Sequence, residues 1–147
     1  KKTMENGEAT FKNILPIQVR FSDVDIMGHV SNTVYQNYYD SGKVNYFDQV
    51  LPDMDFVNTG VVGASIKIDY LKPIFMKTRI LVETRVAVLG KKSMTLEHRL
   101  VDEHTNEILS TCTAVLVCYA IKELASIPIP EHWRENILAY DENVILK

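Results

Sequence analysis

The feature that most limits what this chain can fold into is a run of aromatic residues at helical spacing. Between residues 31 and 50, Val34, Tyr35, Tyr38, Tyr39, Gly42, Val44, Tyr46, Phe47 and Val50 recur at steps of three and four. That is the period of an α-helix, not of a strand. Ser31 or Asn32 can cap its N-terminus, and Pro52-Asp53 ends it. The aromatics crowd one side, so the helix has to be enclosed. Gly42 offers a point where another backbone can come close.

The sequence that follows supplies the enclosure. Val62 to Tyr70 alternates, with Val62, Ala64, Ile66, Ile68 and Tyr70 on one face and Gly63, Ser65, Lys67 and Asp69 on the other. Lys72-Pro73 breaks the pattern, and Arg79 to Leu89 resumes it with Ile80, Val82, Thr84, Val86 and Val88 inward. Gly90-Lys91-Lys92 turns the chain into Ser93 to Val101, where Met94, Leu96, His98 and Leu100 face in. After a further turn at residues 102–106, Ile108 to Ile121 is apolar on both faces, as in a central strand. Connections this short predict antiparallel neighbours.

An earlier strand runs from Ile14 to Phe21, with Ile17, Val19 and Phe21 on one side and Pro16 marking an exposed start or an edge. Pro130 opens a C-terminal helix. The economical architecture is α+β. A single domain over 1–147, with 1–12 as a loose lead-in, wraps a five-stranded antiparallel sheet around the first, long helix.

Composition narrows the function. The net charge of −3 comes without any basic block, which argues against a nucleic-acid partner. No apolar run approaches the ~20 residues of a membrane span, and no signal-peptide pattern opens the sequence. Cys112 and Cys118 lie six residues apart on one strand, roughly 20 Å, too far to bond each other. They read as buried, reduced thiols of a cytoplasmic protein, with no metal-ligand spacing around them.

The chemistry concentrates at Arg20-Phe21-Ser22-Asp23-Val24-Asp25-Ile26-Met27-Gly28-His29-Val30-Ser31-Asn32, where strand gives way to helix. A carboxylate just before a helix N-terminus meets unpaired N–H groups and a partial positive charge, a setting that favours a carbonyl oxygen gaining charge. Asp23 and Asp25 can each also make a plain Asx-turn. His29 can serve the substrate or simply bond backbone, and Gly28 can supply a backbone angle closed to other residues.

This loop, with Tyr35, the Lys72-Pro73 break, the Leu89-Gly90-Lys91-Lys92-Ser93 turn and Ile127-Pro128, resembles the hotdog-fold acyl-CoA thioesterases. The nearest branch is the 4-hydroxybenzoyl-CoA thioesterase-like family. The resemblance implies a hotdog fold and hydrolysis of an acyl-CoA to free acid and CoA. It makes Asp25 the catalytic carboxylate, places the carbonyl-polarising N–H near Asn32, and adds His29 to the catalytic set. Substrate contacts are expected from Gly28, Tyr35 and Ser65, and from Lys91, Lys92 and Ser93 near the CoA phosphates. It further implies a homodimer or homotetramer with active sites shared between subunits, no metal, and no cofactor beyond the CoA of the substrate. The sequence departs from the family at Ser31-Asn32, where many members carry Asn-Asn, and at Asp40, where Glu is frequent.

The residues suffice for that reaction. A thiol leaving group ionises near pKa ~8.5 and needs no strong general acid. Asp25 can attack the carbonyl or activate a water, and either role stays open. A hydroxyacyl-thioester dehydratase on the same fold, and an acyl-thioester binding protein without chemistry, are the alternatives. Chain length and head group are not written in the sequence.

Overall fold

The computed structural model describes residues 9–147. Its strands are β1 (Asn13–Ile17), β2 (Thr59–Tyr70), β3 (Ile80–Leu89), β4 (Ser93–Asp102), β5 (Ile108–Ala120), β6 (Ala125–Ser126) and β7 (Ile145–Leu146), and its helices α1 (Asn32–Val50) and α2 (Glu131–Tyr140). The five expected strands form the path β1-β3-β4-β5-β2, with antiparallel pairing throughout.

Among the described residues the sheet nevertheless has seven strands, not five. β6 pairs with β5, and β7 pairs with β3 in parallel. The reason is geometric. β1 covers β3 only from Ile80 to Thr84, and the C-terminal segment returns to pair with Val88 and Leu89. Two-residue strands carry no alternation, so the sequence pattern does not reveal them.

α1 ends at Val50 and buries Tyr35, Tyr38, Tyr39, Gly42, Tyr46, Phe47 and Val50, while Val44 turns to solvent. It packs on β1, β3 and β4. Two apolar clusters share its length. Tyr35, Tyr38 and Tyr39 join Ile80, Val82 and Leu100 under its N-terminal half. Tyr46, Phe47 and Val50 join Leu89, Met94 and Trp133 under the other. Between them Gly42 lies against the Val82 and Thr84 side chains of β3; the close approach is to side chains, where the sequence suggested a backbone.

Three local expectations change. Residues 21–23 form a 3₁₀ turn instead of continuing a strand, and Phe21 is 84% exposed. Of the lead-in, residues 1–8 lie outside the described residues, but Phe11 is buried, with the Arg99 guanidinium 4.3 Å from its ring centroid. A bulge between Val86 and Val88 shifts the inward set of β3, so that Leu89 is buried in place of Val88. Both Asp141 and the Tyr46 hydroxyl meet there: Val86 N–H and Tyr46 each donate to Asp141 Oδ2, at 2.9 and 2.6 Å.

β2 differs most. It is hydrogen-bonded only to β5, has a register shift between Gly63 and Ser65, and exposes Val62, Ile66 and Tyr70. The face expected to lie in the core is open in the single chain. Cys112 and Cys118 are buried free thiols, and burial pushes Cys112 up to about 12. No helix among the described residues is long and apolar enough to cross a membrane.

Candidate active site

The loop into α1 is built on Asp23. Its buried carboxylate accepts hydrogen bonds from Arg20 N–H (2.9 Å), the Arg20 guanidinium (3.2 Å) and the Tyr38 hydroxyl (2.7 Å), while its carbonyl takes Ser31 N–H (2.9 Å). Burial pushes the Asp23 carboxyl up, but these donors outweigh it and hold the group below its usual range. Asp23 therefore clamps the strand exit to the first turns of the helix.

Asp25 stands differently. Its backbone closes a turn, with Gly28 N–H donating to its carbonyl (3.0 Å) and its own N–H donating to His29 O (2.8 Å). Its Oδ1 accepts Met27 N–H (2.9 Å) and His29 N–H (3.2 Å), so the Asx-turn anticipated as the plainer reading is present. Oδ2 has no donor among the described residues, and the residue is exposed. Gly28 adopts φ +81°, a conformation that favours glycine. His29 leans edge-on against Phe75, ring centroids 5.0 Å apart. Ile26 is fully exposed and Met27 is 73% exposed.

The loop delivers the chain to Asn32, the first residue of α1. Ser31 makes no side-chain cap; its hydroxyl pairs with that of Thr33 at 3.1 Å. No acceptor among the described residues takes the N–H of Asn32 or Thr33, so the positive end of the helix stays available. Tyr35 is buried against Tyr70 of β2, 4.8 Å between ring centroids, and Tyr70 reaches back to Asn32 O at 3.4 Å. The end of β2 and the start of α1 thus share one surface.

A cavity of about 280 Å³ opens farther along the same seam, between α1 and β2. Ser65 lines it, with Tyr39, Asp40, Lys43 and Ile66. Its inner side includes His98, which the alternation marks only as an inward polar residue among Met94, Leu96 and Leu100. Asp25, Gly28 and Asn32 stand outside this cavity. One chain alone does not enclose the carboxylate.

Lys91, Lys92 and Ser93 are also remote. The Asp25 loop is tied to Ile74 and Phe75 just before β3, whereas the lysine turn follows the far end of that strand. Ten residues at 3.3 Å make the strand between them about 30 Å long. The turn packs on the start of α2 and on β6: Arg134 donates to Gly90 O, and Lys92 Nζ lies 3.3 Å from Ser126 Oγ. The structure therefore brings together Asp25, Gly28, His29, Asn32 and Tyr35, sets Ser65 beside the cavity, and leaves the lysine turn at the other end of the sheet.

Known proteins share this fold. Residues 19–137 match the thioesterase-like superfamily. The chain belongs to that family. Solved structures superpose on it over most of their length. A thioesterase from Thermus thermophilus, complexed with coenzyme A and zinc, is 31% identical, with 88% of this chain and 99% of that one covered and a TM-score of 0.77. The PA5185 protein of Pseudomonas aeruginosa is 26% identical over 91% of this chain and 94% of its own, with a TM-score of 0.82. The Bacillus subtilis protein YsmA is 24% identical over 134 residues, 91% of this chain and 90% of its own. This thioesterase-family chain is a thioester hydrolase of hotdog type. Among its described residues no group of three His, Cys, Asp or Glu side chains is placed to hold a metal ion.

Proposed function

We propose that the protein hydrolyses an acyl-CoA thioester to the free acid and CoA, with Asp25 as the catalytic carboxylate. One observation carries this reading. Asp25 Oδ1 is fixed by two backbone N–H groups, which leaves Oδ2 exposed on the loop that feeds the uncapped N-terminus of α1. A thioester whose oxygen takes the N–H of Asn32 or Thr33 presents its carbon to that oxygen. Oδ2 either attacks the carbon, expelling the CoA thiolate and forming a mixed anhydride that water then hydrolyses to the free acid and the regenerated carboxylate, or removes a proton from a water that attacks the carbon and expels the thiolate. Donors fixed in advance at a developing oxyanion are worth about 3–4 kcal/mol each. No metal or organic cofactor takes part in the reaction so written.

The exposed site belongs to an assembly in this reading. β2 is an open edge displaying Val62, Ile66 and Tyr70, and Ile26, Met27 and Phe75 expose more apolar surface at the same end as the Asp25 loop. Open edges and joined apolar patches are covered in soluble proteins. A second copy on this face would wall the Asp25 site, and would allow the lysine turn of one protomer to serve the active site of the other. The same reading takes α1, with its buried Tyr38, Tyr39, Tyr46 and Phe47, as the helix around which the sheet wraps, and places the protein in the cytoplasm.

A dehydratase would need the His29 imidazole paired with an acid. Here only the backbone N–H of His29 meets Asp25.

Thiol release from a panel of short, medium, long and aromatic acyl-CoAs tests the function, and no release from any of them would defeat it. Sedimentation is expected to give a dimer or tetramer that Ile66→Asp dissociates with loss of activity. A fully active monomer would sink the shared site. Lys92→Ala is expected to raise KM several-fold while kcat changes little, as for a remote phosphate contact. An unchanged KM makes that turn a bystander.

A further inference from the structure

The inner wall of the cavity between α1 and β2 carries a buried polar atom that has no partner among the described residues. His98 is 97% buried by its 3% exposure, and its Nδ1 lies 2.8 Å from Thr84 Oγ1. Its Nε2 has no hydrogen bond to any described residue. Yet the sealed, unpartnered side-chain atoms among the described residues are Arg85 Nε and Asp141 Oδ1, and Nε2 is not among them. It is therefore reachable. The ring packs on Tyr39 at 5.3 Å, and its partner Thr84 faces Gly42, so the imidazole lies on the α1 side of the sheet, where the cavity is.

Of the other polar side chains that line it, Gln36 and Ser65 are exposed. Tyr39 donates to Ser110 Oγ at 2.6 Å, and Asp40 pairs with Lys43 at 3.5 Å, cancelling charge at the cavity wall. Burial, with the Lys43 ammonium adding to it, lowers the His98 imidazole to about 3, so it is neutral at pH 7. Tyr39 lies seven residues beyond Asn32, about 10 Å along the helix at 1.5 Å per residue. A thioester carbonyl at the helix N-terminus puts the distal part of its acyl group at that depth.

We propose that His98 Nε2 is a specificity-determining contact and that the cavity takes an acyl group carrying an uncharged oxygen, a hydroxyl or carbonyl, in preference to a plain hydrocarbon. A hydrocarbon seated there strips water from Nε2 and returns nothing, whereas an oxygen substituent replaces the lost bond. The inference rests on the acyl-CoA reading above.

The test compares pairs of CoA thioethers, which cannot be hydrolysed, equal in length and differing only in one hydroxyl or keto group at stepped positions. Calorimetric binding to the wild type is expected to favour the best oxygenated member by about tenfold. His98→Leu should erase that ratio and His98→Gln should keep part of it, with kcat/KM for the matching thioesters following the same order. Equal binding of every pair by the wild type overturns the proposal, as does an undiminished ratio in folded His98→Leu. If His98→Leu does not fold, the wild-type ratio and His98→Gln decide. A protein that hydrolyses no thioester defeats the thioesterase reading alone, because thioether binding still answers this one.

Discussion

Asp25→Asn is expected to lower kcat by about a thousandfold while leaving the melting temperature unchanged. The separation follows from the two oxygens of the side chain. Oδ1 holds the loop by accepting Met27 and His29 N–H, and an amide oxygen in its place can still accept both bonds. Oδ2 does the chemistry proposed here, and the amide nitrogen that replaces it is neither a nucleophile nor a base. General-base or nucleophilic groups commonly supply 10²–10⁴-fold, so a thousandfold loss, about 4 kcal/mol of barrier, sits mid-range. Asp25→Ala should lose activity and also loosen the turn, because Oδ1 goes too. A thiol-release assay on both variants, with thermal melts, separates the roles. Near-normal turnover by Asp25→Asn reduces the carboxylate to a turn former.

Gly42→Ala is expected to destabilise the fold by about 2 kcal/mol, even though alanine is the better helix former by about 1 kcal/mol. An added Cβ would lie 2.5 Å from Val82 Cγ1 and 2.9 Å from Thr84 Oγ1, on a strand held between β1 and β4. Overpacking of this kind costs about 1–3 kcal/mol and here has to exceed the propensity gain. The helix must lift or β3 must bow, and Thr84 holds His98 in place, so the cavity is disturbed as well. Melting should fall by about 4–8 °C. A neutral or raised melting temperature would mean that α1 is not pressed onto β3 at this point.

Much of this was legible in the sequence because it is written in periods. The three- and four-residue spacing of Tyr35, Tyr38, Tyr39, Tyr46 and Phe47 gave α1, and the alternation of Met94, Leu96, His98 and Leu100 gave β4 with its inward face. The Asp25-to-Asn32 spacing placed a carboxylate before a helix start, as the structure has it. Period alone failed at Phe21, where the pull of Tyr38 and Arg20 on Asp23 winds the chain into a turn. It failed again at Val88, where a bulge changes the side on which the next residue falls.

Side-chain spacing thus determined which segments coil, which extend and which face of each is apolar, since these depend on neighbours a few residues away. Tertiary structure decided the rest. That Ser65 and His98, 33 positions apart in sequence, border one cavity, that the β2 face is left bare, and that Lys92 stands at the far end of the sheet from Asp25 are consequences of strand order. Strand order is set by pairing energies summed over the whole sheet, which no local stretch of residues contains.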